Sequence, residues 1–284
     1  MKKLIALVDS SIYAQSVCDH AAWIAQRTGA AVELMHVIGR AETADAPANL
    51  SGNITLGART ALLEELSALD EQRAKLSQKH GRAILDDARA SIEAAGVAAV
   101  TVRLRIGDFV ETVAESEADA DMVVIGKRGE AADFARLHLG SNLERVVRSS
   151  RKPVFVAARA FQPIERFLIA YDGGASSMKA VDHVARDPLF AGLQCRLLMA
   201  GADTPETRRR LDEARALLKA GGHDVEADIV GGDAAAVIAG AVEAGGIDLL
   251  VMGAYGHSRI RSLIIGSTTT EMVRECKIPI VFFR

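Results

Sequence analysis

The chain is one pattern written twice, and no other feature limits its possible folds as strongly. LIALVD (Leu4–Asp9) returns as FLIAYD (Phe167–Asp172), and ADADMVVIGKRG (Ala118–Gly129) returns as GGIDLLVMGAYG (Gly245–Gly256). GSNLERVVRSSRKPVFV (Gly140–Val156) returns as GSTTTEMVRECKIPIVF (Gly266–Phe282), with no gap from the Gly-Ser pair to the proline. The blocks keep their order in both halves. Two homologous domains, 1–160 and 161–284, therefore fit the 284 residues better than one large domain. The boundary falls near Ala160–Pro163, where RAFQPIER joins two apolar runs.

Each half alternates short apolar runs with amphipathic stretches. In the first, Lys2–Val8 reads as a buried strand and Tyr13–Arg27 as a helix closed by Gly29. Ala31–Val37 is a second strand, Gly39–Arg59 a loop, and Thr60–Ala95 a long helix with a possible break at His80-Gly81. Val100–Arg105 is strand three, and Asp108 is the N-cap of the next helix, with Glu111 at capping-box spacing. Met122–Ile125, Ser141–Ser149 and Val154–Ala157 complete the half as strand, helix and strand. The second half repeats this with a shorter second crossover: Asp9 to Gly126 is 117 positions, Asp172 to Gly253 only 81. Apolar strands alternating with helices imply an α/β fold of two repeated doubly wound, Rossmann-like domains, each a five-stranded parallel sheet with helices on both faces. Ligands of such sheets sit outside the carboxyl ends of the strands.

That edge is where the glycines gather. Gly253 closes the fourth strand of the second half, Gly256 follows three residues on, and Gly266-Ser267 opens a helix. Glycine tolerates positive φ and lets backbone N–H groups approach an anion, and the first N–H groups of a helix lack intrahelical partners. Ser267 and Thr268 can cap the helix or donate to phosphate, and His257, Arg259 and Arg261 bias the segment positive. Each glycine alone could be a turn; together, at the ligand edge, they point to an anion. Walker A and GxGxxG patterns are absent, and DGGASS (Asp172–Ser177) lacks the leading serine and internal aspartate of the ATP pyrophosphatase loop.

Gly253-x2-Gly256-x9-Gly266-Ser267 resembles the nucleotide-binding signature of the universal stress protein family, G-x2-G-x9-G-[ST]. The first strands ending in Asp9 and Asp172 and the closing strands Lys152–Val156 and Lys277–Val281 are similar to that family too. The resemblance covers nearly the whole chain as a tandem pair. It implies ATP at the carboxyl ends of the strands, often with Mg²⁺ or Mn²⁺ on the phosphates. Carried over, the site residues of the second half are Asp172, Ala200, Gly253, Gly256, Gly266, Ser267 and Thr268. Those of the first are Asp9, Val37, Gly126, Gly129, Gly140, Ser141 and Asn142. The first half departs from the signature, with ten residues between Gly129 and Gly140. Its segment mixes Glu130 and Asp133, which repel phosphate, with Lys127, Arg128, Arg136 and His138, which attract it. The second half keeps the spacing and is the better site, although its first loop is DGGASS and its second strand ends LLMAGAD.

Other chemistry is not readable. His36 reads as a satisfied core histidine, and the remaining histidines form no ligand pattern. Cys18, Cys195 and Cys276 have neither disulfide nor CxxC spacing and fit buried thiols in a reducing compartment. Cys18 and Cys276 fall on expected helices, with only Lys277 nearby to lower a thiol pKa. Asp9 and Asp172 are expected to cap the following helix and to bond the ligand. The charged run from Glu64 to Arg82 reads as a solvated helix face, with a partner surface as the alternative. A net charge of −3 and only 4% aromatics argue against nucleic acid, and no run reaches membrane-spanning length. With no catalytic set, the leading expectation is a cytoplasmic ATP-binding protein whose bound state a protein partner recognises. The resemblance implies that its two domains form an intramolecular pseudo-dimer joined at or near Val154–Ala157 and Ile280–Phe283, with a homodimer as a further alternative. A slow ATPase or nucleotidyl-transfer enzyme and a nucleotide-free scaffold remain as alternatives.

Overall fold

The computed structural model describes residues 1–39, 56–129, 141–254, 268, 269, 272 and 276–284. Among the described residues there are ten strands: β1 Lys3–Leu7, β2 Ala31–Ile38, β3 Val100–Ile106, β4 Met122–Gly126, β5 Val154–Ala157, β6 Arg166–Ala170, β7 Gln194–Ala200, β8 Val225–Val230, β9 Leu249–Gly253 and β10 Ile280–Phe283. Helices α1 Ala14–Thr28, α2 Leu56–Ala94, α3 Phe109–Ser116 and α4 Ser141–Ser149 belong to the first half. Helices α5 Ala175–Arg186, α6 Pro205–Ala220 and α7 Ala234–Gly245 belong to the second.

The strands form a single ten-stranded sheet in the order β3-β2-β1-β4-β5-β10-β9-β6-β7-β8. Each half contributes the same parallel order, so each is the expected five-stranded doubly wound unit. What periodicity left open is that the two sheets fuse. β5 and β10 pair antiparallel, Val156 opposite Ile280, Phe155 opposite Val281 and Val154 opposite Phe282. They are equivalent strands of the two repeats, and antiparallel pairing of equivalent strands is the relation a local two-fold produces.

The sheet is apolar on both faces because helices cover both. Along β1, Leu4 and Ala6 enter one core while Ile5 and Leu7 enter the other. The first core also takes Val17, Ala21 and Ile24 of α1 and Leu85 and Ile92 of α2. The second takes Val110 and Val113 of α3 and Leu143, Val146 and Val147 of α4. Gly29 closes α1 with φ 71°, as glycine at a helix end does. Asp108 caps α3, accepting from the N–H groups of Val110 and Glu111, and Asp233 does the same for α7 with Ala235 and Ala236.

Two sequence expectations are corrected. The long helix begins at Leu56 rather than Thr60, so the expected loop Gly39–Arg59 is shortened at its end; residues 40–55 lie outside the described residues. The helix also runs through His80-Gly81 unbroken. Gly81 serves close approach: a Cβ there would lie 2.7 Å from Leu104 Cδ1 and 2.8 Å from His36 Cδ2. His36 is buried beneath it, with Nδ1 2.8 Å from the Val8 carbonyl oxygen, which makes it the satisfied core histidine expected.

Candidate functional site

The carboxyl ends of β6, β7 and β9 place Asp172, Ala200 and Gly253 along one edge of the second half. Asp172 does not cap α5, whose N-cap is Gly174 with no side-chain bond. Its Oδ1 instead accepts from the Gly174 N–H at 2.8 Å and the Ser177 hydroxyl at 2.6 Å. This holds the carboxylate at the mouth of the first loop, exposed, while Ser177 is buried beneath it. The turn depends on Gly173, whose φ of 73° suits glycine and whose backbone lies against the Arg210 side chain of α6.

Gly253 is required for a reason the sequence did not disclose. It does not adopt positive φ. A Cβ there would come 3.0 Å from both Ser176 Cβ and the Ser177 backbone nitrogen, so glycine lets the end of β9 press against the first turn of α5. Gly126 does the same in the first half, where a Cβ would meet Tyr13 Cβ at 2.7 Å. Both glycines serve packing that draws the strand end and the helix N-terminus together at the carboxyl edge of the strands.

Ala254 and Thr269, described residues on either side of 255–267, are hydrogen-bonded. Ala254 donates to the Phe283 carbonyl at 2.7 Å, and the buried Thr269 hydroxyl donates to the Ala254 carbonyl at 3.3 Å. Thr268 is half-buried beside Thr269 in helical backbone. Gly256, Gly266 and Ser267, with His257, Arg259 and Arg261, lie outside the described residues.

In the first half, Asp9 also fails to cap its helix. Tyr13 is the N-cap of α1, without a side-chain bond, and Asp9 Oδ1 accepts from the Ser11 N–H at 3.0 Å. Its other oxygen lies against Gly129, 3.0 Å from where a Cβ would sit. Val37 is half-buried near the end of β2, paired with Arg105, and Ser141 and Asn142 open α4. Gly140, Glu130, Asp133, Arg136 and His138 lie outside the described residues.

Lys127, expected to attract phosphate, has its amine engaged within the protein. It is buried, and its Nζ donates to the Cys276 carbonyl across the seam between the halves. Burial holds its amine below the usual lysine range despite the attraction of the nearby Cys276. The cation beside Cys276 is thus Lys127, not Lys277, and burial outweighs it, leaving that thiol raised. Cys276 is half-buried shortly before β10, and its N–H donates to the Met272 carbonyl at 3.0 Å.

Two features of the edge, Ser177 and Arg210, escaped sequence reading. Ser177 was visible only as part of DGGASS; its link to Asp172 requires the turn geometry. Arg210 reaches the first loop from α6, with its guanidinium held by Glu206 at 2.8 Å, and no spacing rule announces it. Gly107 and Gly232, at φ 157° and 139°, stand at equivalent places after β3 and β8. The repeated Gly-Asp pair at 107–108 and 232–233 was the available signal. Among the described residues no group of His, Cys, Asp and Glu could hold a metal, and no helix is long and apolar enough to cross a membrane.

Comparison with known proteins agrees with this architecture. The chain matches the universal stress protein family over residues 1–158 and 196–284. It is 37% identical over 287 residues to the universal stress protein Slr1230 of Synechocystis sp., covering all of both chains. Its fold is similar to that of a universal stress protein from Archaeoglobus fulgidus, with TM-score 0.71, 20% identity, and 99% of this chain and 98% of that one covered. It is also similar to a putative universal stress protein from Pseudomonas aeruginosa, with TM-score 0.61, 13% identity, and 100% and 93% covered. A repeated sequence, a repeated strand order and a full-length relative lead to one conclusion: the chain belongs to the universal stress protein family, as a tandem member.

Proposed function

We propose that the chain comprises two domains, 1–160 and 161–284, and that the second binds ATP at the carboxyl ends of β6, β7 and β9. The observation carrying this reading is the fixed Asp172 carboxylate beside a strand end packed onto a helix N-terminus. Asp172 and Ala200 would flank the ribose and adenine. Gly253, Gly256, Gly266, Ser267 and Thr268 would receive the phosphates, and Mg²⁺ or Mn²⁺ would be held through those phosphates. The described residues fit such a ligand: the carboxylate is exposed, Ala200 projects no bulk, and the ends of the glycine segment meet.

The equivalent first-domain residues, Asp9, Val37, Gly126, Gly129, Gly140, Ser141 and Asn142, form the weaker site. Lys127 is committed to the seam, and ten residues rather than nine separate Gly129 from Gly140. Binding rather than turnover is the function. ATP shifts the protein toward a conformation that a protein partner reads, in a cytoplasmic stress response. The three unpaired cysteines suit that reducing compartment.

Titration calorimetry with ATP and Mg²⁺ tests this. Wild type and Asp9→Ala should bind, whereas Asp172→Ala and Gly256→Val should lose binding. A ligand selective for the folded state at about 100 times its Kd adds roughly 2.7 kcal/mol of stability, so a melting temperature unmoved by ATP would overturn the reading.

A further inference from the structure

Helix α2 is 39 residues long, whereas its counterpart in the second half, α6, has 16. Its C-terminal part packs on the first domain through Gly81, Leu85, Ala88 and Ile92. From Leu63 to His80 no residue is buried. Large apolar side chains are nevertheless present there: Leu63 is 50% exposed, Leu69 48% and Leu76 64%. Leu69 and Leu76 stand one heptad apart, and in the sequence the same interval reaches back to Leu62. Leucine recurring every seventh residue along a solvated helix is the pattern of a two-helix seam.

The charges on this arm are sorted by sign. Between Glu64 and Glu71 the charged residues are Glu64, Glu65, Asp70 and Glu71; between Arg73 and Arg82 they are Arg73, Lys75, Lys79 and Arg82. The order suits the helix dipole, and Glu71 pairs with Lys75 at 2.6 Å within the helix. Neither effect accounts for the leucines. The two side chains of that pair remain 67% exposed, so both charges stay open to a partner.

We propose that this arm is a docking surface for a second copy of the chain, the two α2 helices crossing antiparallel about a two-fold axis near Gln72–Arg73. In that orientation the acidic stretch of each copy lies along the basic stretch of the other, and the leucines close the seam between them. A parallel pair would place like charges together. The arm from Leu63 to Arg82 spans about 30 Å, which makes a small interface and a dimer that dissociates on dilution and on raising salt. Association through this surface does not depend on ATP.

Sedimentation equilibrium of the full-length protein over a range of concentrations, at low and high salt, tests the proposal. The expected result is association toward twice the 30.2 kDa chain mass, weakened by salt and abolished in Leu69→Glu/Leu76→Glu. Both substituted sites are exposed, so that variant should keep the wild-type circular dichroism and melting temperature. Orientation is read by mixing Glu65→Cys and Lys79→Cys chains under mild oxidation. An antiparallel pair cross-links the two variants to each other and neither to itself, because a disulfide needs Cα atoms within about 7 Å. A wild-type chain that stays monomeric at every concentration, a dimer indifferent to the leucine variant, or like-with-like cross-linking would each overturn the proposal.

Discussion

Replacing Gly126 with alanine tests the reason assigned to the glycines of the strand edge. The new Cβ would sit 2.7 Å from Tyr13 Cβ and 3.3 Å from Tyr13 Cγ. Carbon atoms pack best at about 3.5–4.0 Å, so roughly an ångström must be found. Tyr13 cannot provide it by swinging its ring, because the closest atom is fixed to the backbone at the start of α1. Either β4 or α1 must shift, and overpacking of this kind costs about 1–3 kcal/mol. At about 2–4 °C per kcal/mol, the melting temperature should fall by several degrees, and the urea midpoint should fall with an unchanged slope. Gly240→Ala is the matched control. Gly240 lies inside α7 with nothing within 4 Å of its added Cβ, so alanine there should stabilise by about 0.5–1 kcal/mol. A neutral Gly126→Ala would refute the packing argument and return the glycine to a purely ligand-facing role.

Other perturbations have equally definite outcomes. Ser177→Ala removes the hydroxyl that donates to Asp172 at 2.6 Å. It should cost about 1.5 kcal/mol, the low end for a bond to a charged group because Asp172 is exposed, and should weaken ATP binding in calorimetry. His20 is buried between Phe155 and Phe161. Desolvation holds its pKa below the usual histidine value despite the opposing Ser16 carbonyl and Asp19. The unfolded chain then binds a proton that native His20 refuses, so stability falls as pH drops through about 6.5, by up to about 1.4 kcal/mol per pH unit. Urea midpoints at neutral and mildly acid pH should show this limb flattened in His20→Leu. Burial pushes the Cys18 and Cys195 thiols up to about 12. A thiol-specific disulfide reagent at neutral pH should therefore reach them only at the rate of unfolding.

The strand and helix pattern was legible because burial on both sheet faces leaves continuous apolar runs, as in Leu4–Val8 and Leu249–Met252. Val154–Ala157 and Ser141–Ser149 have the bounds their patterns imply. Fusion of the two sheets was legible only in outline. The family resemblance, not the periodicity, named the closing strands as the seam, and their antiparallel register depends on contacts no local pattern encodes. His80-Gly81 misled because glycine weakens a helix in isolation, whereas here it admits His36 and Leu104. Lys127 misled likewise, since a basic residue in a glycine segment was read from composition and its direction is set by the other half of the chain. Helix capping by Asp9 and Asp172 failed because each side chain closes a local turn ahead of the helix, Asp9 onto Ser11 and Asp172 onto Gly174. Asp172 was nonetheless placed at the strand edge by its position in the repeat.

The most direct measurement is the nucleotide that travels with the protein. Freshly purified chain would be denatured, and any released nucleotide identified and counted by mass spectrometry, with added ATP and Mg²⁺ as a second arm. The account predicts one ATP per chain, lost in Asp172→Ala and retained in Asp9→Ala. No nucleotide on the purified protein, followed by no binding of added ATP, would contradict it.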